Sequence, residues 1–278
     1  MLYERFHLTG CTLVALLHSS GLLLLYKSKT DIPNQRFLTV NLALVEMLNA
    51  YCGVVINIMK FTGCFNETEH YISRFIFVFL YLQIRFTVLH MIMDRFLEIH
   101  MILKYPILMT KRKMIYILVS LWIVSLVIAV ISFSLAKLAK DTIGAIFAVF
   151  ILLLLDFSIV AATIFTYYQF YFMVKKIKSS ESRQHGQPKE KGMSLITKKF
   201  KVPLYIVSTY IIFNFVSSIL RMISYSDKKQ YGIVFDRIAS ILDIIGYASD
   251  GCIYIYANRN VRKKLKSWLE RSSLRFYH

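Results

Sequence analysis

Seven stretches of this chain are each apolar over about the length that crosses a hydrocarbon core, and most of the loops between them are short. A spanning helix needs roughly 20 mostly apolar residues. The stretches run from His7 to Tyr26, Phe37 to Lys60, Ile72 to Ile99, Met114 to Lys137, Ile143 to Val174, Val202 to Ile223 and Ile233 to Ala257. In lipid, backbone polar groups must be satisfied within the segment itself. The expected fold is therefore an all-α membrane protein, a seven-transmembrane helix bundle over residues 1–257. Composition agrees, since a chain that is 56% hydrophobic and 15% aromatic has more apolar surface than a soluble domain can hide. Residues 258–278 follow as an amphipathic helix and short tail, with basic residues set among Val261, Leu265, Trp268 and Leu269.

Charge gives the expected orientation. The formal net charge is +18, and its cations cluster at one set of helix ends. Lys27, Lys29 and Arg36 follow the first stretch, and Lys104, Lys111, Arg112 and Lys113 follow the third. The third inner loop, about residues 175–201, and the tail from Arg259 to Arg275 carry many more. By the positive-inside rule these ends are cytoplasmic and the N-terminus is outside. Topology then accounts for the charge, and no nucleic-acid partner is called for. The first stretch lacks a strongly basic leader and is expected to remain as a helix rather than act as a cleaved signal. Asn66-Glu67-Thr68 is a glycosylation acceptor triplet in a loop this topology puts outside. Of the four cysteines, Cys11, Cys52, Cys64 and Cys252, only Cys64 falls in an outer loop, so their spacing implies no disulfide framework. The third inner loop is polar and breaker-rich from Ser179 to Pro188. Ser180, Ser182, Ser272 and Ser273 are inner-face serines open to phosphorylation or simply solvated linker.

The most specific motif runs from Asp94 to Thr110, Asp-Arg-Phe-Leu-Glu-Ile-His-Met-Ile-Leu-Lys-Tyr-Pro-Ile-Leu-Met-Thr. Arg95 is a charge at the membrane boundary that needs a partner, and Asp94 supplies one. The segment resembles the rhodopsin-like (class A) G-protein-coupled receptors, whose third helix ends in Asp-Arg-Tyr and continues to a Tyr-Pro segment. Phe96 stands in the tyrosine's place, and Tyr105-Pro106 supplies the continuation. The resemblance implies that Arg95 is freed on activation to meet a G protein and that Leu103 inserts into that partner. Other landmarks fall in order. Asn41 to Glu46 is similar to the Asn-Leu-Ala-x-x-Asp of helix two, with Glu46 for the aspartate. Trp122 matches the tryptophan of helix four, and Tyr168 matches the helix-five tyrosine that swings toward the arginine. Asp250 to Tyr254 resembles Asn-Pro-x-x-Tyr, continuing into Asn258-Arg259-Asn260-Val261-Arg262.

The departures concern switching. His18 stands nearest the family's helix-one asparagine, Phe213-Asn214-Phe215-Val216 replaces Cys-Trp-x-Pro, and His70 stands about where a disulfide cysteine opens helix three. Helices five to seven have no mid-helix proline, since Pro203 lies in the first turn of helix six. The usual kinks must arise otherwise or be lost.

Charges inside a membrane mark function by default. They are Glu46, Arg74, Arg85, Asp156, Asp243 and Asp250. The resemblance makes Glu46 and Asp250 face each other in a central polar cavity where many family members hold sodium. Two such carboxylates cannot both stay charged without a cation. Arg85, ten residues before Arg95 and so about three turns deeper, either replaces sodium there or forms a structural pair with Asp156. For a ligand, Phe77 and Ile244 occupy the places of the amine-binding aspartate and the retinal lysine, which disfavours both ligands. The expected pocket comprises Arg74, Phe77, Tyr81, Asp156, Asn214 and Asp243, suited to a mostly apolar ligand with an acidic or polar group.

The function expected is a plasma-membrane receptor that passes the signal of an unidentified ligand to a heterotrimeric G protein. No nucleophile and base pair, metal-spaced cluster or phosphate loop argues for an enzyme, a metal or a cofactor. The alternatives are a seven-helix channel or transporter conducting past Glu46, Arg85 and Asp250, or a receptor-derived scaffold that signals without ligand.

Overall fold

The computed structural model describes residues 2–27, 33–101, 104–138, 141–181, 204–226 and 230–257, together with Ser267. Among them are helices and short turns and no strand. Seven helices are long and apolar enough to cross a membrane, so the chain has the all-α seven-helix architecture and is a multi-pass membrane protein. The spanning helices are α1 (Leu2–Lys27), α2 (Pro33–Phe61), α3 (Glu67–His100), α4 (Lys111–Leu138), α5 (Asp141–Glu181), α6 (204–226) and α7 (Gln230–Ala257). A single helical turn, Tyr105–Leu108, joins α3 to α4. One end of the bundle holds Asn66 and the other holds Arg95.

Hydropathy counts apolar residues, but helices end where their backbone finds caps. Thus α3 starts at Glu67, ahead of the apolar run from Ile72. Asn66 Oδ1 accepts from the backbone N–H of Thr68 at 2.9 Å and Glu69 at 3.1 Å, and the Glu69 carboxylate accepts from the Asn66 N–H at 2.9 Å. This reciprocal box satisfies amide groups that an apolar pattern does not reveal. In the turn before it, Gly63 adopts a φ of 70°, open to a residue without a Cβ. At the other extreme α5 continues to Glu181, so Lys175 to Glu181 extend the helix where the third inner loop was expected to begin. Its 41 residues span about 60 Å, roughly twice the hydrocarbon thickness. Lys is a good helix former, so the charges that end the apolar run do not end the helix. Leu103, Pro203 and, apart from Ser267, the expected surface helix and tail lie outside the described residues, as do Ser182, Ser272 and Ser273.

Packing neighbours close a ring from α1 through α2, α4, α5, α6 and α7 back to α1, and α3 crosses the interior against α2, α4 and α5. The core gathers Leu42, Leu80, Ile84, Met91, Ile159, Ile206 and Tyr254 from five of the seven helices, while large apolar side chains on α4 and α5 point outward. That inversion is what lipid permits and water forbids. Two landmarks of the sequence meet here. Trp122 Nε1 donates to Asn41 Oδ1 at 3.0 Å, and Asn41 Nδ2 donates to Thr87 Oγ1 at 2.8 Å, tying α4, α2 and α3. Near the Asn66 end α4 and α5 touch backbone to backbone. Ser132 Oγ donates to the Gly144 carbonyl at 3.0 Å, and a Cβ on Gly144 would lie 2.6 Å from the Ser132 carbonyl oxygen.

Mid-membrane, α6 widens into a π-helical turn over Tyr210–Phe215 before resuming as Val216–Ser226. This falls where the expected proline kink is missing. The irregularity is supplied by backbone register instead.

Candidate functional site

Four polar arrangements lie along the bundle axis. At the Arg95 end, Arg95 is 4% exposed and Asp94 0%, so the pair is desolvated and each group requires partners. The guanidinium donates to the carboxylates of Asp94 and Glu98. Tyr105 Oη donates to the second Asp94 oxygen at 2.6 Å. The Tyr-Pro continuation of the motif therefore has a physical task. The turn that begins at Tyr105, with Pro106 inside it, returns a hydroxyl to Asp94 and completes its shell. Phe96 stacks on His100 and packs against Phe165 of α5. Leu103 lies outside the described residues.

Arg95 also borders a crevice of about 70 Å³ with Thr163 and Tyr167 of α5 and Leu204 and Val207 of α6. The tyrosine facing the arginine's side is thus Tyr167. Tyr168, expected there, points outward at 57% exposure and packs on Phe172, with ring centroids 4.6 Å apart. One residue turns a helix by about 100°, enough to bring Tyr167, itself 43% exposed, to the edge of the crevice while Tyr168 turns away.

Tyr254, the other expected partner of Arg95, is buried and turned inward, donating from Oη to Glu46 Oε2 at 3.3 Å. Glu46 and Asp250 are near neighbours across α2 and α7. Thr209 Oγ1 donates to Asp250 Oδ1 at 2.5 Å. His18 joins them, with Nδ1 3.5 Å from Glu46 Oε2 and Nε2 2.9 Å from the Tyr247 carbonyl. A carbonyl only accepts, so Nε2 carries the proton.

Arg85 does not enter that cavity. Its Nε lies 3.0 Å from Asp156 Oδ1, and its Nη2 donates to Ser218 Oγ at 2.7 Å and to Asp156 Oδ2 at 3.5 Å. Tyr210 Oη donates to the same carboxylate. The replacement of sodium by Arg85 is therefore corrected to the structural pair, because α3 presents Arg85 toward α5 and α6 rather than toward α2 and α7. His18, not Arg85, lies beside Glu46.

The fourth arrangement opens at the Asn66 end, a cavity of about 730 Å³ bordered by α1, α2, α3, α5, α6 and α7. Arg74, Phe77, Tyr81 and Asp243 line it as expected. Asp156 and Asn214 do not. Asp156 is engaged by Arg85 one turn further along α3, and Asn214 packs against Gly246 within the helix pair α6 and α7. Arg221 of α6 was not anticipated and dominates the wall. It pairs with the Asp243 carboxylate, donates to Tyr81 Oη at 3.4 Å and lies over the Tyr81 ring, 5.0 Å from its centroid. Tyr81 Oη in turn donates to Asp243 Oδ2 at 3.2 Å. The available signal was an arginine two residues before the end of an apolar run with an aspartate in the next one. Asn49 and Tyr247 also line this cavity, and as neutral residues in apolar runs they gave no signal.

The four cysteines are free. Among the described residues no group of His, Cys, Asp and Glu is placed to hold a metal ion. Comparison of the chain with protein-family models and with curated proteins finds no match.

Proposed function

We propose that this protein is a divergent rhodopsin-like G-protein-coupled receptor in the plasma membrane, with its Asn66 end outside and its Arg95 end facing a heterotrimeric G protein. The observation that carries this reading is the closed shell around Arg95. A buried guanidinium held by Asp94 and Glu98, with Tyr105 completing Asp94, stands beside an apolar crevice between α3, α5 and α6. A conducting path has no need of such a lock, whereas a receptor needs a restrained cation whose release opens a docking face. The pair is a two-state element, and a ligand that favours the separated state shifts the population toward it. At the opposite end the 730 Å³ cavity has the size of a small-molecule site.

The test is expression with a panel of G-protein reporters, comparing the wild type with Arg95→Ala and Asp94→Asn. Arg95→Ala is expected to abolish coupling. Asp94→Asn removes one of the two charges that restrain Arg95 and is expected to raise basal signal severalfold. Ion flux in liposomes with no reporter response from any of the three proteins would overturn the reading in favour of a channel or transporter.

A further inference from the structure

The cavity at the Asn66 end is charged at its mouth and neutral at its floor. Lys60, Arg237 and Asp236 border it near the helix ends and are exposed. Deeper, Arg221 and Asp243 compensate each other, and Tyr81 closes the pair from the side. That triad presents no net charge to a ligand. Beyond it the lining residues include Asn49 of α2 and Tyr247 of α7, 5% and 3% exposed. Each keeps a buried polar atom without a hydrogen-bond partner, Asn49 Oδ1 and Tyr247 Oη. Orphaned buried polar atoms are uncommon in folded proteins, and two bordering one cavity call for a common explanation. The lining also carries apolar side chains, with Val149 and Leu152 of α5 and Phe77 and Val78 of α3.

We infer that this cavity binds a small, largely apolar molecule through an uncharged hydroxyl or carboxamide group seated on Asn49 and Tyr247. The chemistry follows from the donors and acceptors. Asn49 Oδ1 only accepts and so calls for a donor, which a carboxylate cannot supply to it. Tyr247 Oη donates or accepts. With Asp243 already neutralised by Arg221, an ammonium group has no free anion at the floor, and its desolvation is uncompensated. A group that both donates and accepts, inside an apolar wall, satisfies both atoms at once. The inference deepens the receptor reading by choosing a neutral polar ligand over an acidic one, and it rests on that reading only for its signalling consequence.

The experiment uses full-length protein in lipid nanodiscs and four matched probes, namely benzamide, benzoate, benzylammonium and toluene, with binding followed by ligand-observed NMR titration. Benzamide is expected to bind saturably and at least tenfold more tightly than the two charged probes. Tyr247→Phe and Asn49→Leu are each expected to weaken benzamide about tenfold, which corresponds to about 1.4 kcal/mol, while leaving toluene within twofold. Tyr247→Phe removes a single oxygen, and a thermal melt verifies that the variant is folded. Tighter binding of benzoate or benzylammonium, benzamide binding indifferent to both substitutions, or no binding by folded protein would each overturn the inference. A protein that binds benzamide as stated yet shows no Arg95-dependent reporter signal instead overturns the receptor reading.

Discussion

Arg85 and Asp156 show what a buried charge costs and what it secures. Each is almost fully removed from solvent, and truncating one partner strands the other, a loss of about 3–5 kcal/mol. Arg85→Met and Asp156→Leu are each expected to lower the melting temperature of the purified protein markedly, while the double variant recovers most of the loss. A double variant as unstable as the sum of the singles would mean that the pair does not act as a unit. The same residues mark the limit of the sequence. Asp94 and Arg95 are adjacent, and Tyr105 follows eleven positions later, so their association was readable along one segment. Asp156 is 71 positions from Arg85, and its pairing depends on how α3 and α5 are rotated about their axes. Both rival partners for Arg85 were visible in the sequence, but the choice between them was not. Asn49 and Tyr247 were invisible altogether, because a neutral polar residue in an apolar run becomes informative only when its missing partner is seen.

At the scale of elements, the seven helices were legible because a run of apolar residues has few other solutions in lipid. Their facing was less so. The helix α5 is apolar over most of its circumference, with Ile164, Phe165, Tyr168 and Tyr171 outward and Ile159 inward, and a helix without a polar stripe does not announce its interior side. The exchange of Tyr167 for Tyr168 follows from that. Association between such helices rests on close backbone approach rather than on the hydrophobic effect. The contact of Gly144 with Ser132 is the tightest example, since an added Cβ has nowhere to go. Gly144→Leu is expected to separate α4 from α5 and to lower thermal stability, whereas Leu138→Ala on the exposed end of α4 should change it little. Equal melting temperatures for the two variants would show that the joint does not hold the helices together.

The whole molecule has two chemically different ends, and its orientation is open to direct measurement. Asn66 is exposed at the end proposed to be outside, but its side chain also caps α3. Removing Asn66 would therefore confuse glycosylation with stability, since a lost cap costs about 1 kcal/mol. Thr68→Ala destroys the acceptor triplet and leaves the cap. Expressed in glycosylating cells, the wild type is expected to show a glycosidase-sensitive mobility shift that Thr68→Ala lacks, at an unchanged melting temperature. The π turn of α6 stands between the two ends, with Val207 of the Arg95 crevice before it and Arg221 of the large cavity after it. A π turn is a one-residue surplus in the winding of a helix, comparable to a dislocation in a crystal row. Moving that surplus along by one turn rotates the residues it passes by about 100° without breaking the helix on either side. A ligand gripping one half of α6 can in this way re-aim the other half, transmitting torque where a proline hinge would transmit a bend.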